Sequence, residues 1–406
     1  MEFKFKNFVL LFLLSFLMGC TSQNDYSELN DWQKIEKSAK NSRVTLCIVD
    51  DYKSDFSKFI DTELSKELNN LYNIRVDVVY KSIDDLETYL SFFENTKKGD
   101  GIDLIFASPD NLKRLQNKKF LYENFVNKLD NYYKFIDQNN FISTMYDDVF
   151  IKQTGIFFNQ NILNYYYNDD ILYNPPFGVE ELLDYVKQNP YKFSYPSVRD
   201  ELGALFVRNV ILNFVPVSNF YNNDLEYDEI KNLVLPAFNY LKKLDKYIYK
   251  ENGNYINSDD MDRLYAESKL SISFNKKIRY SYEKVNESLY PINSLPFIMF
   301  EKNISDPDYM AIPYSSLNKS GAMVVLNVLL SEKIQLLKMK NLDFNGLIPY
   351  SVDNVYLENY NSDDFVKAVP KRGVINPILL LKTAESDIPQ KYREIINNIW
   401  ISEFEK

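Results

Sequence analysis

Carboxylates set beside tyrosines make up most of the chemistry this chain offers. Asp50-Asp51-Tyr52 closes one apolar run, Tyr146-Asp147-Asp148 precedes another, and Tyr195, Ser197 and Arg199 gather before a helical pattern. Aspartate accepts hydrogen bonds from hydroxyls and amines, and aromatic faces attract cations. Such a set suits capture of a cationic or polyhydroxylated small molecule. There is no histidine among the 406 residues. That excludes Ser-His-Asp and Cys-His nucleophiles, imidazole proton shuttles and the usual zinc shells. Two cysteines build neither a thiolate metal site nor a disulfide framework. A formal charge of -10, from 57 acids against 47 bases, argues against nucleic acid as a partner. No metal ion and no cofactor is expected. With no imidazole to titrate, ligand binding is expected to change little between roughly pH 6 and 7.5.

The elements that must carry these residues follow from apolar spacing. Val44 to Val49 is a short apolar run ending at Asp50-Asp51, suited to a buried parallel strand. Phe56, Phe59, Ile60, Leu64, Leu68 and Leu71 repeat at helical spacing. Ile74 to Val79 alternates as a second strand, Asp84–Glu94 reads as a helix, and Ile102 to Ala107 as a third strand ending at Ser108-Pro109-Asp110. This alternation predicts a parallel sheet covered on both faces, with ligands received outside the carboxyl ends of its strands. Both strand-end clusters have a second reading. Asp50-Asp51 serves equally as a helix N-terminal charge pair, and Ser108-Pro109-Asp110 as a helix start. Further strands are expected at Thr154–Asn159, Phe193–Ser197, Ser271–Asn275 and Met310–Tyr314. Helices are expected over Val179–Gln188, Leu202–Phe214, Asp228–Tyr249, onward from Asn318, and in the tail from Asn376. Gly203 would let a ligand approach the start of one of these helices, whose free amides favour an acceptor. Arg208, a few residues further in, reads as a salt bridge between elements. The 32 Tyr and 29 Phe fit compositional drift of AT-rich coding as well as ligand stacking, so most are expected in cores.

The first 19 residues are an address. Lys4 and Lys6 precede the apolar run Phe8–Leu14, and the segment ends in Leu17-Met18-Gly19-Cys20. The apolar stretch is shorter than the ~20 residues of a spanning helix, and reads as an export signal. Its end resembles a bacterial lipobox, in which Cys20 receives lipid and becomes the first mature residue. Residues 20–42 then read as lipidated cysteine and tether, and Cys47 as a buried apolar thiol.

Several stretches, in order, resemble the extracellular solute-binding proteins of ABC importers, the periplasmic-binding-protein type II flytraps. They are Asp103–Pro109, Gln153–Asn159, Tyr191–Pro196 followed by Gly203–Asn209, Ser271–Asn275, and Tyr309–Tyr314 followed by Asn318–Ser331. Lys276 departs from the pattern, standing where many members carry proline. The Tyr195-Pro196 and Phe206-Val207-Arg208-Asn209 stretch points to a thiamine-like or uncharacterised subgroup. The resemblance implies an α/β, two-lobed fold with discontinuous lobes. Lobe 1 would hold 43–152 and 311–345, lobe 2 153–310, and 346–406 a helical C-terminal region packed on the lobes. Ligand would meet Asp50, Asp51, Tyr52, Ser108, Pro109 and Asp148 from the first lobe. From the second it would meet Tyr195, Ser197, Arg199, Gly203, Phe274 and Asn275. The implied role is a monomeric, lipid-anchored receptor at the exported face of a membrane. It would pass a small organic cation of thiamine or polyamine kind to an ABC permease and ATPase. A sensory or adhesive co-receptor of the same fold is the alternative. An exported carboxylate-dependent glycan enzyme is a weaker one, because the adjacent Asp147 and Asp148 cannot face each other across a sugar.

Overall fold

The computed structural model describes residues 32–50, 59–96, 101–135, 145–146, 149–150, 154–221, 224–340, 364, 367, 373–375, 379–380 and 382–405. Cys20, Asp51, Tyr52, Asp147 and Asp148 lie outside the described residues. A first helix, α1 (Trp32–Ala39), leads into β1 (Arg43–Val49). A π-helical turn at Ile60–Leu64 runs into α2 (Ser65–Tyr72), followed by β2 (Arg75–Lys81), α3 (Ile83–Thr96), β3 (Leu104–Ala107), α4 (Pro109–Asn117) and α5 (Asp130–Phe135). The strands β1, β2 and β3 pair in parallel, as their spacing in the chain predicts. Alternation of side chains then builds two cores. Val44, Leu46, Ile48, Leu104 and Phe106 pack on one face of the sheet, whereas Cys47, Val49, Ile105 and Ala107 pack on the other. Burial pushes the Cys47 thiol up to about 12, so it stays protonated and inert.

A short pair, β4 (Met145–Tyr146) and β5 (Val149–Phe150), precedes β6 (Gly155–Ile162) and β7 (Asn164–Asn168). Then come α6 (Gly178–Gln188), α7 (Glu201–Leu212), α8 (Tyr227–Leu244), α9 (Ser258–Ala266), β8 (Ile272–Asn275), α10 (Tyr280–Asn286) and β9 (Ser294–Phe297). Strands β8, β7 and β9 make a three-stranded antiparallel sheet inside a second, mainly helical body. The chain returns through β10 (Asn303–Ala311) into α11 (Lys319–Leu329) and α12 (Glu332–Lys340), and ends with β11 (Ala384–Glu385) and α13 (Gln390–Phe404).

The crossing is made by β6 and β10, which pair antiparallel along their lengths. Ile156, Phe158, Met310 and Ile312 belong to the first body's core, whereas Leu163 and Ile304, at the other ends, belong to the second. A bulge between Asp308 and Tyr309 falls where the strands pass from one body to the other. The last helix packs into the second body: Tyr392, Ile396, Ile399 and Trp400 join its core.

Three expectations need correction. Phe193–Ser197 forms no strand. Its backbone bonds go singly, Tyr249 N to the Phe193 carbonyl and Ser197 N to that of Ile256, and Pro196 has no N–H to continue a ladder. The strands β7 and β9 were not expected at all. Their sequences, Asn-Tyr-Tyr-Tyr-Asn and Ser-Leu-Pro-Phe, lack period-two alternation because β7 is buried on both sides. Gly203 does not clear space for a ligand. A Cβ there would stand 2.2 Å from the Ser197 carbonyl oxygen and 2.3 Å from that of Pro196. Gly203→Ala should therefore lower stability by about 1–3 kcal/mol in denaturant titration, despite alanine's better helix propensity; an unchanged or raised midpoint would refute this packing role.

Candidate functional site

The carboxyl ends of β1 and β3 present a polar rim. Asp50 adopts a left-handed backbone, φ 58°. Its carboxylate accepts from the Ile83 amide at 3.1 Å and from Asn111 Nδ2 at 2.8 Å, joining the starts of α3 and α4. Ser108 caps α4, accepting from the Asn111 amide, with Pro109 in the first helical position. The helix-start readings of both clusters thus describe local geometry. Pro109 also faces the second body across a small cavity of about 80 Å³.

On the opposite side, Asp200 caps α7 by accepting from the Leu202 amide, and also accepts from the amide and hydroxyl of Ser258 at 2.8 and 2.7 Å. This one carboxylate brings the first turns of α7 and α9 together. A cavity of about 200 Å³ lies between them, and Asp200, Glu201, Asp259 and Asp262 face it with Asn275, Lys276 and Tyr280. Four carboxylates thus meet one lysine, and that lysine pairs with Glu201 at 2.8 Å. Asp262 accepts from Tyr280 at 2.6 Å and from the Tyr290 hydroxyl, with Lys284 Nζ at 3.7 Å. Burial, and then the bond to Asp262, hold the Tyr280 phenol above its ordinary range, so it remains a donor.

Glu201, Leu205 and Lys276 line both cavities, so the acidic one continues toward Pro109. At that junction Arg208 grips Asp387 with Nε at 2.9 Å and Nη2 at 2.9 Å. Arg393 Nε stands 3.5 Å from the same carboxylate, and its Nη1 reaches across to Asp110 at 3.9 Å. Burial alone would raise the Asp387 carboxyl. Arg208, Arg393 and the Ile388 amide outweigh it and hold the group below the usual carboxylate range. Beside Arg208, Asn209 bonds the Ile304 amide at 2.7 Å, fastening α7 to the start of β10. Among the described residues no group of three acids or thiols is placed to hold a metal ion.

Of the residues expected to meet ligand, Asn275 lines the acidic cavity and Pro109 its extension. Tyr195 and Phe274 do not reach it. Both are fully buried in the second body's core, Tyr195 stacked on Phe206 at 4.8 Å and Phe274 on Phe206 at 5.0 Å. Ser197 donates to Glu405 at 2.8 Å, and Arg199 Nε lies 3.3 Å from the same carboxylate, so both hold the end of α13. Asp200, Glu201, Asp259, Asp262, Tyr280 and Arg393 were not anticipated. Asp259 carries only an ordinary acidic first turn as a signal, and Asp262 and Arg393 none.

The model for the bacterial extracellular solute-binding protein matches residues 63–372. The chain belongs to that family. Its members bind solutes and are not catalysts, which removes the glycan-enzyme alternative, and an extracellular family is an exported, envelope-associated one. The chain is 23% identical over 319 residues to Protein YnjB of Escherichia coli K12, covering 76% of this chain and 80% of that protein. Its fold is similar to the spermidine/putrescine substrate-binding protein PotD of Streptococcus pneumoniae, with a TM-score of 0.60 at 15% identity, covering 89% of this chain and 98% of that one. It also resembles an ABC transporter solute-binding protein of Thermotoga lettingae bound with alpha-D-tagatose, with a TM-score of 0.61 at 16% identity, covering 89% and 95%. The fold is thus the two-lobed, type II periplasmic-binding-protein one, and the two bodies are its lobes.

Removing Arg208 leaves Asp387 buried beside Arg393 alone, so Arg208→Ala should lower stability by about 3–5 kcal/mol in denaturant titration. A group held below its unfolded pKa stabilises fully above that value and loses its contribution as pH falls through the folded one. The native protein should therefore lose this term only in acid below about pH 4, and R208A should lack part of that acid-dependent loss. A wild-type midpoint with unchanged acid sensitivity in R208A would contradict the assignment.

Proposed function

We propose that this protein captures a small organic amine between its lobes and delivers it to an ABC permease and ATPase. The observation that carries this reading is the cavity in which Asp200, Glu201, Asp259 and Asp262 meet a single lysine beside Tyr280. An ammonium entering there meets carboxylate acceptors and an aromatic face, whereas an anion meets net repulsion. Closure about β6 and β10 brings Asp110 and Pro109 over the mouth and removes water from these contacts. The pneumococcal protein of similar fold is a spermidine/putrescine substrate-binding protein, in keeping with an amine.

In calorimetric titration of the purified protein, amines of the thiamine, putrescine and spermidine kind should bind, and simple sugars and inorganic anions should not. Asp262→Asn should weaken binding about 10–100-fold, the range of a charge-assisted hydrogen bond, with its thermal melt recorded alongside. Binding confined to sugars or anions would sink the amine assignment.

The same reading places the protein on the membrane through lipid at Cys20. Cys20→Ser should abolish incorporation of labelled fatty acid and release the protein from the membrane fraction. Persistence of label in C20S would remove the anchor from the proposal.

A further inference from the structure

A cavity of about 510 Å³ lies at the opposite end of lobe 1 from the strand ends that face lobe 2. Its position follows from topology. Strand β10 runs antiparallel to β3, so the loop after Ala311 emerges at the amino end of the parallel strands. There Tyr122 N bonds the Ile312 carbonyl and Tyr314 N that of Phe120, forming a floor. Leu90 and Phe93 of α3 make one wall, and Leu317, more than half exposed, makes the lip.

One ammonium sits in this apolar setting. Lys319 is 8% exposed and donates to the carbonyls of Tyr314 and Ser316 at 2.7 and 2.8 Å. Its Nζ lies 5.3 Å from the Tyr122 ring centroid and 5.7 Å from that of Tyr314. The described lining holds a second cation, Lys119, and no carboxylate. Asp103 acts on Lys319 electrostatically, and its oxygens already accept from the Thr45 amide, the Ser316 hydroxyl and the Asn318 amide. On a chain of net charge -10, a cavity with two cations and mostly apolar walls is a local inversion.

We propose that this cavity binds a small amphiphilic monocarboxylate, its carboxylate against Lys319 and its apolar body over Leu90, Phe93, Phe120 and Leu317. The volume lies within the ~300–1,000 Å³ usual for small-molecule sites. A carboxylate here adds a charge-assisted hydrogen bond to the carbonyl contacts that Lys319 already makes. The site is independent of the cleft, so its ligand and the transported solute should bind together. Burial lowers Lys319 to about 8, against a counteracting pull from Asp103. Carboxylate affinity should accordingly hold steady to about pH 7 and fall as pH rises through about 8. Among the described residues, Lys119, Tyr122 and Tyr314 line the same cavity and Asp103 acts on this ammonium.

Calorimetry on the full protein with decanoate, below its micelle concentration, tests this directly, with decanol and decyltrimethylammonium as matched probes. Decanoate should bind more tightly than either, and Lys319→Met should weaken it about tenfold or more, the lower range for a charged hydrogen bond. Leu317→Asp, a substitution at an exposed lip, should weaken decanoate by charge repulsion without requiring Lys319 to be altered. Equal binding of the three probes, or no change in both variants, would overturn the proposal. So would competition with a cleft amine. Failure of amine binding alone would leave this site standing and remove only the amine assignment.

Discussion

The buried pair between Arg208 and Asp387 organises the second lobe and its approach to the first. A carboxylate at this depth is tolerable only because a bidentate guanidinium, a second arginine and a backbone amide surround it. The pair joins α7, in the middle of the chain, to a segment nearly 180 residues later, |i−j|=179. It thereby determines where α13 enters the second lobe, with Trp400 and Phe404 stacked at 3.8 Å near its far end. It also orients Arg393 toward Asp110. One internal salt bridge in lobe 2 thus sets the position of an ion pair that reaches lobe 1.

The neighbouring side chain completes the arrangement. Asn209 satisfies the Ile304 amide where β10 begins, and Lys302 and Asn213 share the adjacent polar contacts. The crossing strand is therefore tied to α7 by side-chain hydrogen bonds at one end. At the other it is tied to β3 by a backbone ladder. Between these ties β6 and β10 run from one lobe to the other, and the bulge at Asp308 and Tyr309 interrupts their regular pairing.

The candidate site shows how chemistry divides between capping and recognition. Asp200 is committed to the first turns of two helices and Asp50 to two others, so each acts as a brace. Asp262 is held by two phenols, and Asp259 projects from the same first turns into the cavity. Asp200, Glu201 and Asp259 owe their place to the convergence of two helix N-termini, which favour acids for local electrostatic reasons, and Asp262 joins them from further along its helix. Convergence turns a routine sequence preference into an acid-lined cavity.

Sequence by itself determined the parallel sheet of lobe 1, its two-sided burial, the inertness of Cys47 and the absence of imidazole chemistry. These follow from local apolar period and composition, which need no knowledge of partners. It also marked Arg208 as a structural cation and carried the ordered motifs of the solute-binding family. Only the tertiary structure decided which aromatics are committed to the core. Tyr195 and Phe274 sit on short extended segments whose side-chain direction depends on what packs above them, and Phe206, Tyr255 and Trp400 fill that space. Asp262, Tyr280 and Arg393 are brought to the cleft from separate helices, and no spacing along the chain encodes their meeting. Local periodicity reports the face an element buries, whereas a site made by several elements depends on how those faces dock.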